Sequence, residues 1–188
     1  MMRLNYKLFL FTVLLVVVSV FSKLYFSTKL EWSGFSPIIA IALFAGMIVK
    51  DKTASFVLPL ASLFISDVII EVLFRCNLFP FPGFYGYQML NYALLLVTTL
   101  IGWMLEGNKV NRIITGAIVA PTLFFILSNL TVWISASFYT KDITGFVECY
   151  LAALPFYLHS LAATFVFLPA FLFSFNYLVK KEKTILIA

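Results

Sequence analysis

Residues 56–75 read FVLPLASLFISDVIIEVLFR, an apolar run that ends on Arg75 and carries two carboxylates, Asp67 and Glu71, in its second half. A helix that spans a bilayer needs roughly 17–25 mostly apolar residues, and this stretch is long enough. Applied outward, the same test divides the chain at its charge clusters into six spans, at about 7–27, 35–50, 53–74, 86–105, 111–134 and 149–179. The predicted fold class is therefore all-α, a single six-helix transmembrane domain over residues 1–188. The second span, SPIIAIALFAGMIV, is short, which predicts little tilt or a protein cap at one end. The sixth is long and holds Pro155 and Pro169, which predict an early break and a kinked interior.

Composition agrees. Of 188 residues 63% are hydrophobic, 18% aromatic and 11% charged, where a soluble domain is usually about 25% charged. A water-soluble fold is excluded, and so is a sizeable extramembrane domain, because no polar run between spans is long enough to fold alone. Any chemistry must lie within the membrane or at its edge.

Orientation follows from where Lys and Arg fall. With the N-terminus inside, nine of the 13 basic residues are cytoplasmic and four (Lys23, Lys29, Arg75 and Lys141) are outside. This predicts cytoplasmic termini in a bacterial inner membrane, with the net charge of +5 acting on topology and anionic lipid head groups. Nucleic acid is a poor partner, since no basic patch accompanies a soluble fold. Arg3 and Lys7 followed by LFLFTVLLVVVSVF also imitate a signal peptide, but Val20 and Ser22 do not make an A-x-A-like cleavage site, so retention as the first helix is expected.

On this topology the polar residues inside spans collect in the outer half. Asp67 and Glu71 lie one turn apart on one face, with Arg75 a further turn on. A carboxylate at such depth costs roughly 2.5–3.5 kcal/mol unless it faces a cavity or a partner; a ligand contact and an interhelical ion pair both satisfy that condition for Asp67. Glu71 with Arg75 reads as an interfacial ion pair. Gln88 and Asn91 open the fourth span, Asn129 and Trp133 share a face near the end of the fifth, and Glu148 stands at the mouth of the sixth, with His159 about 15 Å along it. Agreement in depth among four helices points to an outward cavity, although polar helix ends and aromatic belts also gather at interfaces.

The connection RCNLFPFPGFYGYQ is aromatic where an exposed loop is normally polar. Phe79, Phe81, Phe84 and Tyr85 could cover a cavity as a lid, with Pro80, Pro82 and Gly83 making a tight bend, or the loop could rest in the lipid interface. Cys76 and Cys149 both fall at outer helix ends, so a disulfide, a soft-metal ligand and an inert small residue remain alternatives. No C-x-x-C, H-E-x-x-H, G-x-S-x-G or phosphate-cradling glycine loop is present, and the one histidine excludes a multi-histidine metal or haem site. No cofactor, metal or catalytic constellation is expected. A proton relay would need His159 and Asp67 on adjoining helices.

FSPIIAIALFAG, FVLPLASLFISDVII, FPGFYGYQMLNYALL, LFFILSNLTVWISASFY and GFVECYLAALPFYLHSLAAT occur in that order over about residues 35–165. On these stretches the chain resembles the bacterial membrane family called domain of unknown function 6580, which looks like a relative of the substrate-binding S components of energy-coupling-factor vitamin transporters. That resemblance implies a six-helix subunit that captures a vitamin or similar micronutrient from outside and docks on a transmembrane coupling protein with two ATPases. It carries over Asp67, Asn129, Trp133, Tyr139, Glu148 and Tyr150 as matching motif positions. In the outward pocket read from the residues, Trp133 would stack on a ring and Asp67 would meet a cationic or donor group of the ligand. S components commonly present alanines four apart on the first helix for docking, and FTVLLVVVSVF has none. Ala42 and Gly46 offer a small-xxx-small face on the second span instead, for a partner or for internal packing. The expectation is thus a substrate-binding subunit whose ligand meets Asp67, Gln88, Asn91, Asn129, Trp133, Tyr139, Glu148 and His159. The rival expectation is a structural or assembly subunit with no ligand.

Overall fold

The computed structural model describes residues 6–26, 28–86, 88–107 and 109–178. These form six helices: α1 Tyr6–Phe26, α2 Ile38–Ile48, α3 Lys52–Arg75, α4 Gln88–Met104, α5 Val110–Ser135 and α6 Ile143–Leu178, with one 3₁₀ turn at Leu30–Trp32. Four of them, α1, α3, α5 and α6, are long and apolar enough to cross a membrane. Only 22–28% of each spanning window is buried. Faces such as Val57, Phe64, Val68 and Val72 on α3 are left exposed, an area that water would penalise and lipid would not. This is a membrane protein.

The second span differs from its expected extent. The α2 helix has 11 residues, about 16 Å at ~1.5 Å per residue, against a hydrocarbon core of ~30 Å. Pro37 occupies its N-cap position and Val49 turns the backbone extended at the other end. Asp51 then caps α3 by accepting from the Ala54 N–H at 2.6 Å. Short as it is, α2 sits at the centre, packed on α3, α4, α5 and α6. Ile39 to Met47 are buried without a break, as expected of a helix that is apolar all round.

Backbones meet where α2 crosses α4. A Cβ built on Gly46 would stand 2.2 Å from the Thr99 carbonyl oxygen and 2.8 Å from the Gly102 Cα, so only glycine fits. Ala42 is likewise fully buried. The small face of the second span is therefore consumed inside the molecule, and the structure overturns the assignment of Ala42 and Gly46 to an external partner. Beside them Thr98 and Thr99 donate to the carbonyls of Leu94 and Leu95 one turn back, which hides their hydroxyls within α4.

The half of the bundle nearest the described ends of α1 and α6 is solid. Phe11 of α1, Phe44 of α2 and Phe175 of α6 form a mutual ring cluster with centroids 5.3–5.4 Å apart, flanked by Leu15, Leu43, Met47, Ala117 and Leu168. The sixth helix also departs from its expected bounds. It starts at Ile143 because Asp142 caps it, accepting from the Gly145 N–H at 2.8 Å, and it continues through both Pro155 and Pro169; neighbouring helices tolerate such prolines in membranes. Cys76 is free and exposed, and Cys149 is free and buried.

Replacing Gly46 with alanine should cost ~1–3 kcal/mol through overpacking, seen as a lower midpoint in thermal unfolding of the detergent-solubilised protein. An unchanged midpoint would contradict the close crossing of α2 and α4.

Candidate functional site

At the opposite end from the ring cluster the bundle is hollow. A cavity of about 540 Å³ lies between the six helices, within the ~300–1,000 Å³ typical of small-molecule sites. From α1 come Ser19, Ser22, Lys23 and Phe26, and from the α1–α2 connection Ser33 to Ser36. Ile38 and Ile39 of α2 and Leu63 and Ser66 of α3 complete one side. The other side is Asn91 and Leu95 of α4, Phe124, Phe125, Ser128 and Asn129 of α5, and Phe156, Tyr157 and Ser160 of α6, with Tyr85 entering from the α3–α4 loop. Hydroxyls and amides thus alternate with rings around an apolar frame.

The wall between α1, α3 and α4 is held by one carboxylate. Asp67 is fully buried. It accepts from Lys23 of α1 and from Gln88 Nε2 and Tyr92 Oη of α4, the last at 2.8 Å. These donors satisfy a charge that would otherwise be stranded in low dielectric. The structure accordingly moves Asp67, expected to touch a ligand, behind the wall, and Gln88 with it. Lys23, which the sequence reading assigned only to topology, stands on the cavity surface in their place. A signal for this was present: Ser19, Ser22 and Lys23 fall at i, i+3 and i+4 directly after the apolar run VLLVVV.

The α3–α4 loop is fastened down. The Gly83 N–H donates to Glu71 Oε2 at 3.1 Å, and a Cβ there would meet the Asp67 carbonyl oxygen at 1.9 Å and the Glu71 nitrogen at 2.6 Å. Glu71 is gripped in turn by Arg75 Nε at 2.8 Å. Of the four aromatics expected in a lid, Tyr85 reaches the cavity, where its hydroxyl accepts from Asn91 Nδ2 at 2.6 Å. Burial, reinforced by the charge of Asp67, pushes the Tyr85 phenol above its usual range, so it remains a neutral hydroxyl at physiological pH. Phe84 packs on Phe64 with centroids 6.1 Å apart, and Phe79 on Phe81 at 6.2 Å; none of the three lines the cavity.

Cover comes instead from the α1–α2 connection, which the sequence reading did not single out. Phe26, Trp32 and Phe35 make a ring cluster, Trp32 stacks on His159 with centroids 6.2 Å apart, and His159 Nδ1 donates to the Ser33 carbonyl at 2.9 Å. His159 therefore holds a connection in place. Its bonded partner is Ser33 while those of Asp67 are Lys23, Gln88 and Tyr92, so the two do not form the relay considered above.

Asn91 and Asn129 do line the cavity, Asn129 with its Nδ2 donating to the Phe125 carbonyl at 2.8 Å. Trp133, Tyr139 and Glu148 do not. The Trp133 Nε1–H donates to the Thr140 carbonyl at 2.9 Å, and Lys141 donates to the carbonyls of Trp133 and Ala136; together they tie off the α5–α6 turn. Tyr139 packs on Phe138, and Glu148 is exposed. The Tyr150 hydroxyl donates to the Ile126 carbonyl at 2.7 Å. Among the described residues no group of three or more His, Cys, Asp or Glu side chains could hold a metal ion.

Fold and cavity together define an all-helical membrane protein with a chamber of ligand size at one end of its bundle. The chain belongs to the family described as Family of unknown function (DUF6580), whose model matches residues 3–186. No curated protein and no solved structure matches it.

Changing Asp67 to alanine removes the acceptor shared by Lys23, Gln88 and Tyr92 and should destabilise the fold by ~1–3 kcal/mol, while Asp67→Asn, which keeps hydrogen-bonding capacity, should lose less; equal midpoints for both variants and wild type in thermal unfolding would sink the scaffold role. At the α6 cap, the N–H of Gly145 and the Thr140 hydroxyl hold the Asp142 carboxyl below its usual range. Its stabilisation is therefore complete above the ordinary carboxylate pKa and is lost as pH falls through the lowered value. Hydrogen exchange at the start of α6 should show protection that persists in mildly acidic solution, collapses in strongly acidic solution and is absent at every pH in Asp142→Ala.

Proposed function

We propose that this protein is a membrane-embedded substrate-binding subunit that takes up a vitamin or related micronutrient from the outer side of a bacterial inner membrane. The observation that carries the reading is the 540 Å³ cavity to which all six helices contribute. Its volume suits one molecule of vitamin size, and its lining mixes ring faces with hydroxyl and amide groups able to read hydrogen-bonding edges. Accidental gaps in packing are small and apolar, whereas this one is of ligand size and carries serine, asparagine and tyrosine groups in its apolar frame. With the termini cytoplasmic, as the nine-to-four distribution of basic residues favours, the cavity lies in the outer half.

The role is capture and delivery, not catalysis, and the resemblance to S components supplies the manner of delivery: docking on a coupling protein that works with two ATPases. The rival role, an assembly subunit without ligand, would use Ala42, Gly46 and Phe-rich faces; the first two are buried within the chain, so docking in either role would fall to exposed apolar faces such as Phe64 and Phe173.

The test is binding of the small molecules that copurify, identified by mass spectrometry. Asn129→Leu and Tyr157→Ala should each weaken retention about tenfold, the ~1.4 kcal/mol of one good contact, whereas Trp133→Ala and Glu148→Ala should leave it within about twofold because neither side chain lines the cavity. The reverse ranking would refute the cavity as the binding site.

A further inference from the structure

Resting on that binding role, we infer that the molecule held in the cavity is an organic acid whose carboxylate is anchored at Lys23. Among the described residues that line the cavity Lys23 alone is charged, and no described acidic side chain reaches the surface of the chamber. A cationic ligand would meet a like charge and no counterion.

The pairing of Lys23 with Asp67 does not cancel this preference. Lys23 lines the cavity, while the carboxylate its ammonium bonds is fully buried and does not. The pair is therefore a dipole with its positive pole toward the ligand. A group at the wall is nearer to that pole than to the carboxylate, and Coulomb attraction falls with distance. Asp67 also keeps hydrogen-bond donors on α4, Gln88 and Tyr92, so the ammonium can be shared with a second carboxylate while Asp67 retains those bonds. The amino end of α2, where Ser36, Ile38 and Ile39 line the chamber, adds a positive contribution of its own.

The rest of the chamber describes the rest of the acid. Ser22, beside Lys23, offers a hydroxyl near the anchored end, while Phe124, Phe125 and Phe156 supply apolar surface for a ring or short chain. An acid head with a compact apolar body fits both ends.

The experiment uses the full chain, purified in detergent, with two readouts. Small molecules released on denaturation are identified by mass spectrometry, and thermal midpoints are measured against three acid/amide pairs (nicotinate with nicotinamide, biotin with biotin amide, indole-3-acetate with indole-3-acetamide) and against tryptamine as a cation. We expect a released organic acid, at least one acid that raises the midpoint, and about tenfold more of its amide needed for an equal shift. The double variant Lys23→Gln with Asp67→Asn removes the dipole without stranding a charge, and there the acid preference should fall to parity; Lys23→Arg should keep it. Amides or tryptamine binding as well as the acids, or a preference that survives in the double variant, would overturn the inference. A released molecule that is neutral or cationic removes the acid but leaves the binding role standing. A long-chain fatty acid would support the anchor and remove uptake of a water-soluble nutrient. No released molecule and no shift with any probe would remove both.

Discussion

One buried ion pair organises the hollow half of this protein. Asp67 draws Lys23 from α1 and Gln88 and Tyr92 from α4 onto α3, fastening three helices at the depth where their apolar surfaces alone would leave a choice of rotation. Lipid offers no hydrophobic drive for one helix to seek another, so packing and polar contacts must specify the arrangement. A carboxylate with no water available has few acceptable positions, and the one it takes fixes its neighbours.

The solid half uses the opposite device. There α2 is enclosed, Gly46 and Gly102 bring two backbones into contact, and phenylalanines of α1, α2 and α6 fill the remaining space. The two halves are linked through the length of α2. A helix of 11 residues fills roughly half the thickness of a bilayer core, and the cavity begins where it ends, with Ile38 and Ile39 on the wall.

Much of the fold was legible because hydropathy registers length and charge directly. The helices lie close to the expected spans except where a local signal competed. The early start of α6 comes from Asp142, whose capping role was hidden by the polar look of TKDITG. The shortness of α2 comes from Pro37 and from the extended backbone at Val49. The site was only partly legible. Depth along a helix reveals that a polar residue has a reason to be there, but not its partner: a ligand contact and an interhelical ion pair were both open for Asp67, and the ion pair is what forms. Lys23 was overlooked because a lysine near the end of a span is ordinarily a topology signal. The rotation that turns Trp133 toward Thr140 and Asn129 toward the cavity is set by tertiary packing, which a shared i, i+4 face does not disclose.

The two connections that border the chamber are secured by different groups. Gly83 lays the α3–α4 loop backbone to backbone on α3, beneath a bridged carboxylate. The α1–α2 connection meets α6 in the same way at Gly34, where a Cβ would stand 2.6 Å from the Phe156 carbonyl oxygen, and it adds the His159-to-Ser33 bond and the Trp32–His159 stack in place of a charge. The chamber is thus bordered by one loop held through charge and one held through rings, and a side chain added at Gly34 would press on α6 as one added at Gly83 would press on α3.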